Sequence, residues 1–406
     1  MKTYLVGGAV RDHLLGLPVS ERDWVVVGAS PDKMLALGYQ SVGKDFPVFL
    51  HPRTKEEYAL ARTERKTGRG YKGFTCYAAP EVTLEEDLLR RDLTINAIAM
   101  DENGRLIDPY QGIKDLKEYT LRHVSPAFEE DPVRVLRLSR FCARFYSLGF
   151  KVAPETQELA SKMVREGTME DLVPERVWSE IERSLAEKTP AAFFQFLREI
   201  GALARLMPEL DQLFGVPNPP KWHPEIDTGV HMLMVLEQAA YLSSSPLVRF
   251  GALVHDLGKG CTPREAWPSH HGHDEAGVKL IQTLSARLKI PKVYEQLGVL
   301  VSRFHTLVHK ARELKPGTLV QLLEKMDAFR RPERFYQLLA ACEADSRGRL
   351  GFEKNDYPQR AFLMKIFEVI KNVSGKPWID KGLSGKAVAE AVHRERVEIV
   401  KNYIYS

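Results

Sequence analysis

Residues suited to binding a phosphate stand close to the N terminus. The segment YLVGGAVRD predicts a strand, a turn at Gly7 and Gly8, and a helix. Two glycines let backbone N–H groups approach a phosphate, and the start of a helix favours an anion. Arg11 would lie one turn into that helix, within reach of the same phosphate. The segment predicts a nucleotide-phosphate site; a glycine turn needed only for packing is the plainer alternative.

A pair of carboxylates, Glu21 and Asp23, opens the next predicted strand. Residues two apart on a strand share a face, so both carboxylates would point together. Beside a phosphate-binding turn, such a pair suits a divalent cation held partly by substrate phosphates. Glu57, on a later predicted strand, is a candidate third carboxylate. An ordinary charged strand start is the alternative, but the pair and the turn together favour nucleotidyl transfer.

Four arginines recur at spacings of three, three and four: Arg134, Arg137, Arg140 and Arg144. At about 100° per residue they form one stripe of a predicted helix. Like charges on one stripe repel each other unless something anionic meets them. The stripe therefore predicts either an anionic ligand or a solvated face with acids nearby.

Eight of the twelve histidines lie between His223 and His309. They surround the adjacent pair His255-Asp256, with His231 on an earlier predicted helix. Others follow on a predicted loop and a later helix: His270, His271, His273 and His305. Imidazoles and carboxylates together suit zinc, nickel, manganese or cobalt. The cluster therefore predicts a transition-metal site.

Short strands alternate with helical patterns over residues 1–120, and from about Asp131 the periodicity is helical. The predicted strands are Lys2–Val6, 24–27, Val48–Leu50 and 57–61, and the predicted helices around the histidine pair are Thr228–Leu242 and 247–257. The Pro-rich stretch 216–224 predicts a boundary between helical units. The fold class is therefore α+β, a mixed head followed by a long all-α body.

Composition narrows the class of protein. The chain has 406 residues, 44% hydrophobic and 28% charged, which predicts several globular domains. It has no apolar run of about 18 residues, the length a membrane helix needs, and a poor signal peptide. Four scattered cysteines without C-x-x-C spacing favour a reducing cytoplasm. The net charge of +4 is weak evidence for a polyanionic partner.

Five ordered motifs carry a resemblance: G-G-x-V-R-D with its acid pair from Gly7, R-R-D-x-x-x-N-A from Arg90, D-x-x-x-G-x-x-D from Asp108, E-D-x-x-R from Glu130, and Glu175-Arg176. They resemble the DNA polymerase β superfamily, and within it the class II tRNA nucleotidyltransferases (CCA-adding enzymes) and bacterial poly(A) polymerases. Over its full length the chain resembles the multifunctional CCA-adding proteins of γ-proteobacterial type. One departure is Glu21, where the family usually has aspartate.

The resemblance implies magnesium-dependent addition of C, C and A to tRNA from CTP and ATP without a nucleic-acid template. Glu21 and Asp23 would be the catalytic metal ligands. Asp131 and Arg134 would face the base edge, where a carboxylate accepts from the exocyclic amine of cytosine (N4) or adenine (N6), whereas uracil and guanine offer a carbonyl there. The remaining nucleotide contacts would come from arginines: Arg11, Arg91, Arg137 and Arg140.

The order H…HD…D resembles the HD-domain phosphohydrolases. The resemblance implies a metal set of His231, His255, Asp256 and Asp345. Nickel is the metal that the family suggests, and zinc and manganese stay open. The resemblance also implies phosphatase, 2′-nucleotidase and 2′,3′-cyclic phosphodiesterase activities. His273 and His305 would add a second metal or bind phosphate, whereas the other four histidines would cap helices or lie at the surface: His223, His270, His271 and His309.

The predicted domains are a nucleotidyltransferase head (1–125), a helical neck and body (126–222), an HD domain (223–345, core 228–329) and a helical tail (346–406). The basic segment 62–72 is either a lever that reshapes the nucleotide pocket or a solvated loop. A monomer is expected, with a homodimer as alternative. The rival functions are an enzyme adding only A, a poly(A) polymerase, and an RNA-binding phosphohydrolase with an inactive head.

Overall fold

The computed structural model describes residues 1–19, 21–42, 47–66 and 74–405. They form two compact units, Met1–Leu206 and Met207–Ser406. The strands lie in the first unit, and the second unit is helical. The predicted α+β class, a mixed head followed by a helical body, is confirmed. Within the described residues, no helix has the length and apolar character to cross a membrane.

Strands of the first unit form one large sheet and two small ones. They are β1 (Lys2–Val6), β2 (Asp23–Val27), β3 (Gln40–Ser41), β4 (Val48–Leu50), β5 (Glu57–Leu60), β6 (Thr63–Lys66), β7 (Phe74–Tyr77), β8 (Ala99–Met100), β9 (Leu106–Ile107), β10 (Thr120–Leu121) and β11 (Lys151–Val152). The seven-stranded sheet has the order β3-β4-β5-β2-β1-β8-β9. Only β2 and β5 run parallel in it. Asp23 on β2 and Glu57 on β5 are opposite each other on that parallel pair.

The first unit has helices between the strands of the sheet and further helices after them in the chain. They are α1 (Gly8–Leu14), α2 (Pro31–Ala36), α3 (Leu84–Leu89), α4 (Gly112–Lys117), α5 (Val133–Phe145), α6 (Pro154–Arg165), α7 (Pro174–Ala186), α8 (Ala191–Glu199) and α9 (Ala202–Leu206). Along β2, Val25 packs with Leu84 and Leu88, whereas Val26 packs with Met34 and Phe49. Both faces of the central strand are therefore buried, which fixes the direction of its first residue.

The predicted strands agree closely with the structure. Lys2–Val6 and Val48–Leu50 are confirmed to the residue, and the other two differ by one residue at one end. The prediction that Glu21 begins a strand was wrong, because β2 starts at Asp23. Strand alternation therefore does not fix the direction of Glu21. The charge of Glu21 nevertheless acts on Asp23.

Helices of the second unit are α10 (Pro208–Asp211), α11 (Thr228–Leu242), α12 (Pro246–Val254), α13 (His273–Leu288), α14 (Lys292–His309), α15 (Pro316–Lys325), α16 (Pro332–Arg347), α17 (Pro358–Ile370), α18 (Lys376–Ile379) and α19 (Lys386–Tyr405). Five of the last eight begin at a proline or have one in their first turn, where the missing N–H costs nothing. The prediction of α11 is confirmed to the residue. The helix predicted over 247–257 ends at Val254 because a 3₁₀ turn, Leu257–Cys261, follows.

The core of the second unit holds α11, α12, α14 and α16 together. It includes Val235, Leu297, Leu319, Leu338 and Phe367, all at most 4% exposed. Because α16 packs against both α11 and α12, the end of α16 comes next to residues more than ninety positions earlier. This packing assembles the histidine cluster from distant parts of the chain.

Candidate active sites

The glycine turn of the head is built as the sequence predicts. Gly7 adopts a φ of +68°, a conformation that favours glycine, between β1 and α1. A Cβ atom on Gly7 would lie 2.8 Å from Nη1 of Arg91. The Arg91 guanidinium therefore lies directly over the turn, and Gly8 begins the helix behind it. The turn and Arg91 form one wall of the candidate site.

Two carboxylates stand side by side next to this turn. Asp23 is in register with Val6 on β1 and with Glu57 on the parallel strand β5. Neighbours in register point to the same face of a sheet, so Asp23 and Glu57 are adjacent, and both are exposed. Loss of hydration raises the pKa of Asp23, Arg91 opposes that rise, and Glu21 adds to it. Clustered, exposed oxygen donors fit a hard cation such as Mg²⁺.

Arg11 lies inside the head instead of beside an open phosphate site. It is 4% exposed, and its guanidinium packs over the rings of Phe141 and Phe145. Its Nη1 donates to Oδ1 of Asn96 (2.5 Å) and its Nε donates to Oδ1 of Asp12 (2.9 Å). The prediction that Arg11 reaches freely towards a phosphate therefore does not describe this structure. Arg11 instead fixes α1 against Asn96 of the second motif.

The second motif, R-R-D-x-x-x-N-A, is a hydrogen-bond network around Asp92. The Asp92 carboxylate accepts from Nδ2 of Asn96 (2.9 Å), from the backbone N–H of Leu93 (2.9 Å) and from Nε of Arg137 (2.7 Å). Burial would raise the pKa of Asp92, but Arg137 and Asn96 outweigh burial and hold that pKa well below its usual range. The motif therefore ties the head to α5.

The four arginines of the predicted stripe all lie on α5, as expected. Their partners belong to the same unit: Arg134 with the carbonyl of Ala127 (2.7 Å), Arg137 with Asp92 (2.7 Å), Arg140 with Glu180 (2.7 Å) and Arg144 with Asp12 (2.9 Å). Three of the four are thus balanced by internal acids, as the alternative interpretation supposed. Arg137 and Arg144 keep 36% and 32% of their side chains exposed, so both still face solvent.

The fourth and fifth motifs meet in one ion pair. Both carboxylate oxygens of Asp131 accept from Arg176, at 2.8 and 3.3 Å. One of them also accepts from the backbone N–H of Val133 at the start of α5 (3.1 Å). Asp131 keeps 26% of its side chain exposed, whereas Arg134 is buried. The ion pair therefore joins the Glu175-Arg176 motif to the E-D-x-x-R motif.

The predicted HD residues come together in the second unit. The distance from Nε2 of His231 to Oδ1 of Asp345 is 3.1 Å, and that from Nε2 of His255 to the same oxygen is 3.5 Å. Nε2 of His255 also lies 3.1 Å from Oδ2 of Asp256. All four residues are at most 4% exposed. The structure thus collects His231 from α11, the pair that follows α12, and Asp345 from α16.

The second ring nitrogen of each histidine is already used. Nδ1 of His255 donates to the carbonyl of Ala252 (2.7 Å), and Nδ1 of His231 lies 3.0 Å from the carbonyl of Gly348. A backbone acceptor at Nδ1 leaves the lone pair of Nε2 facing the cluster, the usual arrangement of a metal-binding histidine. Sequence reasoning missed Glu225, whose Oε1 lies 2.9 Å from Nδ1 of His231.

The cluster has the properties of a metal site. Ligand atoms of His231, His255 and Asp256 lie within 4.8 Å of one another. Among the atoms of the described residues, Nε2 of His255 and Oδ1 of Asp256 are buried without a hydrogen-bond partner. Burial would lower the pKa of His255, but Asp256 and Asp345 raise it to about 10. These two buried carboxylates therefore favour a positive charge beside them, which a metal ion supplies.

A second group of ligand-type atoms shares Asp256. Oδ1 of Asp256 lies 3.5 Å from Nε2 of both His273 and His305, and those two nitrogens are 3.5 Å apart. His273 is the first residue of α13, so its prediction as a loop residue was wrong. Lys259 also contacts Asp256, with 2.6 Å between Nζ and Oδ2. Sequence reasoning missed Lys259, although its i,i+3 spacing from Asp256 was a usable signal.

Three of the four histidines predicted to cap helices or lie at the surface do neither. Their contacts are His223 Nδ1 with Oε1 of Glu225 (3.0 Å), His270 Nε2 with the carbonyl of Pro217 (2.7 Å) and His309 Nε2 with Oδ2 of Asp345 (2.7 Å). His309 therefore contacts the cluster through Asp345. His271 alone among them is exposed, as expected. The spacing of histidines along the chain does not reveal such tertiary partners.

The basic segment predicted as a lever or loop lies partly outside the described residues, which exclude 67–73. Its described beginning enters β6, which pairs with β7 as an antiparallel hairpin. The choice between the two interpretations stays a prediction.

Three protein-family models match separate parts of the chain. Residues 3–122 match the Poly A polymerase head domain, residues 149–214 match the probable RNA and SrmB-binding site of polymerase A, and residues 228–331 match the HD domain. Asp345 lies beyond the HD match. The cluster of candidate ligands therefore includes a residue outside the matched domain.

Two relatives match essentially the whole chain. A multifunctional CCA protein of Thioalkalivibrio sulfidiphilus is 61% identical over 401 residues, 99% of this chain and 98% of that protein. One from Nitrosococcus oceani is 60% identical over 406 residues, 100% of this chain and 99% of that protein. The Bacillus stearothermophilus CCA-adding enzyme, solved with CTP, has a TM-score of 0.65 at 23% identity, over 99% of this chain and 89% of that one, a likeness of fold.

Proposed function

This chain belongs to the multifunctional CCA protein family, and from that premise we propose how its residues divide the work of the family between two sites. The family and enzyme class predicted from the motifs are confirmed by the two full-length relatives and by the matched head and HD domains. The chain is a nucleotidyltransferase with an HD phosphohydrolase domain. The head adds and repairs the 3′-terminal CCA of tRNA from CTP and ATP.

One observation carries the assignment of the head site: Asp23 and Glu57 stand in register beside the Gly7 turn. We assign Glu21 and Asp23 as the catalytic metal ligands and add Glu57 as their neighbour. Magnesium bound there would lower the pKa of the RNA 3′ hydroxyl and neutralise the triphosphate. Asp23 and Glu57 are exposed, so substrate and ion can reach them from solvent.

The nucleotide is held by groups around those carboxylates. The turn at Gly7 and Gly8 offers backbone N–H groups to the phosphates, and Arg91, lying over the turn, adds a positive charge. Asp131, fixed by Arg176, presents a carboxylate to the exocyclic amine of cytosine or adenine. Arg134 completes the base edge.

Arg137 is partly exposed and is assigned to the sugar or phosphates of the nucleotide. Arg140 is assigned with it, held by Glu180 in a position as buried as that of Arg134. Arg11 positions α1 through Asn96. Uracil and guanine have a carbonyl where Asp131 requires a donor, so the site rejects them.

We assign the metal of the HD site to His231, His255, Asp256 and Asp345, and propose nickel as that metal. A metal held there would activate water against a phosphoester. The chain holds the ligands in place through Ala252, Gly348 and Lys259, whose contacts orient them before any metal arrives. Phosphatase, 2′-nucleotidase and 2′,3′-cyclic phosphodiesterase activities are the reactions proposed for this site.

The two reactions fit one substrate class, the tRNA 3′ end. A 3′ end that carries a phosphate or cyclic phosphate lacks the hydroxyl that the head requires, and HD hydrolysis restores it. The helical segments beyond the head would bind the tRNA through phosphate contacts and A-form shape. We propose that the protein is a monomer. We also propose that it works in the cytoplasm, since its four cysteines are scattered and have no C-x-x-C spacing.

The test uses purified full-length protein, magnesium and tRNA truncated to the discriminator base. CTP alone, ATP alone or both are supplied, and the 3′ ends are sequenced. Addition of CC with CTP alone and of CCA with both is the expected result. A-only addition to a CC-ending control tRNA would identify an A-adding enzyme, and long A tails a poly(A) polymerase. No addition to any substrate would leave the HD site as the principal activity.

A further inference from the structure

The two carboxylate oxygens of Asp345 have different partners. Oδ1 faces the cluster, 3.1 Å from Nε2 of His231. Oδ2 faces away and lies 2.7 Å from Nε2 of His309. On its other side, the ring of His309 places Nδ1 2.9 Å from the phenolic oxygen of Tyr357. Asp345 is therefore held from outside the cluster by a His–Tyr pair.

Donor and acceptor roles along this chain follow from the chemistry of each group. A carboxylate only accepts, so Nε2 of His309 carries the hydrogen that Oδ2 of Asp345 receives. Nδ1 of the neutral ring is then an acceptor, and the Tyr357 hydroxyl donates to it. Asp345 thus sets the tautomer of His309, and Tyr357 holds the ring from its other nitrogen. Such outer partners orient a metal ligand without touching the metal.

Tyr357 belongs to a segment beyond the HD match, which ends at residue 331. It directly precedes α17 and is 7% exposed. Two residues later, Nε2 of Gln359 donates to the backbone carbonyl of His309 (3.1 Å). Helix α17 in turn packs into the core of the second unit through Leu363 and Phe367. Its start therefore contacts both the ring and the backbone of His309 from a fixed position.

We propose that His309 and Tyr357 are positioning residues of the HD site, which hold Asp345 so that Oδ1 points at the metal. The proposal rests on the proposed function, because it assumes that the cluster binds a metal. It assigns to the segment after residue 346 a part in the phosphohydrolase: this segment completes the outer shell of the metal site.

The experiment measures metal affinity rather than hydrolysis. Full-length protein is stripped of metal by chelator, and Ni²⁺ is titrated back in a calorimeter with a competing chelator. His309→Ala removes the contact to Asp345, and we expect Ni²⁺ to bind about 10- to 100-fold more weakly, the usual effect of losing an outer partner of a ligand. Tyr357→Phe removes one hydroxyl, and we expect a loss of about 2- to 10-fold, as for one hydrogen bond.

Two further variants separate positioning from packing. His309→Gln keeps an amide N–H near the position of Nε2, so we expect it to recover part of the affinity lost in His309→Ala. Tyr336→Phe removes a hydroxyl from the same helix that carries Asp345, away from His309, and should bind Ni²⁺ as the wild type does. The melting temperature of the metal-free protein and CCA addition by the head are measured on every variant, and both should stay at the wild-type values for Tyr357→Phe.

Wild-type Ni²⁺ affinity in both Tyr357→Phe and His309→Ala would overturn the proposal. So would an equal loss in Tyr336→Phe and Tyr357→Phe, because that pattern indicates general loosening of the unit, and so would a wild type that binds no metal. A wild type that binds Ni²⁺ but hydrolyses no phosphoester would contradict the proposed function alone. In that case the affinity series still decides the positioning role.

Discussion

Asp23 and Glu57 of the head are exposed, whereas Asp256 and Asp345 of the HD unit are at most 4% exposed and lie among histidines. The head acids come from two neighbouring strands whose register alone brings them together. The HD ligands come from α11, from the pair that follows α12 and from α16, and further hydrogen bonds to Ala252 and Gly348 orient them. The head site is open to solvent, whereas the HD site is buried and its ligands are held by hydrogen bonds.

The contrast follows from what each site must hold. Buried carboxylates are costly unless a positive charge accompanies them, so the HD cluster requires a resident ion or proton. The exposed carboxylates stay in contact with solvent, so an ion can reach them together with the nucleotide. We therefore expect the metal of the head to exchange at every turnover and the HD metal to stay bound between turnovers. Variants of either site should therefore affect one activity and spare the other.

Asp23→Ala should separate the two sites most sharply. Loss of a metal-binding carboxylate removes several kcal/mol of transition-state stabilisation, so we expect CCA addition to fall by about 10³-fold or more. Hydrolysis of a 2′,3′-cyclic nucleotide by the same preparation should be unchanged. Asp32→Ala, which removes an exposed acid from α2, serves as the control and should keep both activities. Equal loss of both activities would contradict the separation.

His255→Ala is the mirror experiment in the closed site. Because His255 is a buried ligand, we expect phosphoester hydrolysis to fall by about 10³-fold while CCA addition stays at the wild-type rate. The exposed His271→Ala is the matched control. Retention of hydrolysis in His255→Ala, with Ni²⁺ still bound, would show that the metal lies elsewhere.

Asp92→Asn tests the hydrogen-bond network that joins the head to α5. Asp92 is buried and forms an ion pair with Arg137. We therefore expect the first unit to lose about 2 to 4 kcal/mol of unfolding free energy at neutral pH. The loss is smaller than for a fully buried ion pair, because Arg137 is partly exposed. The pKa of Asp92 is lowered in the folded state, so its contribution is present above the ordinary aspartate pKa of about 3.9 and is lost as the pH falls below it.

Urea unfolding of wild type and Asp92→Asn at pH 7 and near pH 3 checks the sign of this effect. The stability difference should be large at pH 7 and shrink at the acid pH. A difference that is independent of pH would show that the ionised carboxylate is not the source of the stability.

Glu57→Gln should have the smallest effect of the four. Glu57 lies beside Asp23 but is proposed only as a neighbouring carboxylate, so we expect CCA addition to fall by about 10- to 100-fold and the magnesium requirement to rise. Rates measured across a magnesium series check both effects. The exposed neighbour Lys55→Gln is the control. A rate equal to that of wild type at every magnesium concentration would remove Glu57 from the site.

Local pattern was sufficient for four of the eleven described strands and for helix Thr228–Leu242, because alternation and helical periodicity are recorded directly in the sequence. It also singled out Asp23, His231, His255 and Asp256, which the structure places in the two candidate sites. It failed for Glu21 as a strand residue and for His309, whose partner Asp345 is thirty-six positions away. Tyr357 and Glu225 left no signal, because their importance arises from helix packing alone.

Pairing was the second feature that sequence could not supply. The arginine stripe of α5 is visible in the sequence, but its acid partners Asp12, Asp92 and Glu180 come from three other segments. A stripe of one charge therefore indicates that an anion is nearby without showing whether that anion is a ligand or part of the protein.

The most direct test of two separate sites is extension of tRNA that ends, after the discriminator base, in a 2′,3′-cyclic phosphate. Wild-type protein, Mg²⁺, Ni²⁺, CTP and ATP are supplied, and the 3′ ends are sequenced alongside those of Asp256→Ala. We predict that wild type opens and removes the phosphate and then adds CCA. Asp256→Ala should extend only the control tRNA with a free hydroxyl. Equal extension of the cyclic end by both proteins, or none by wild type, would contradict the account.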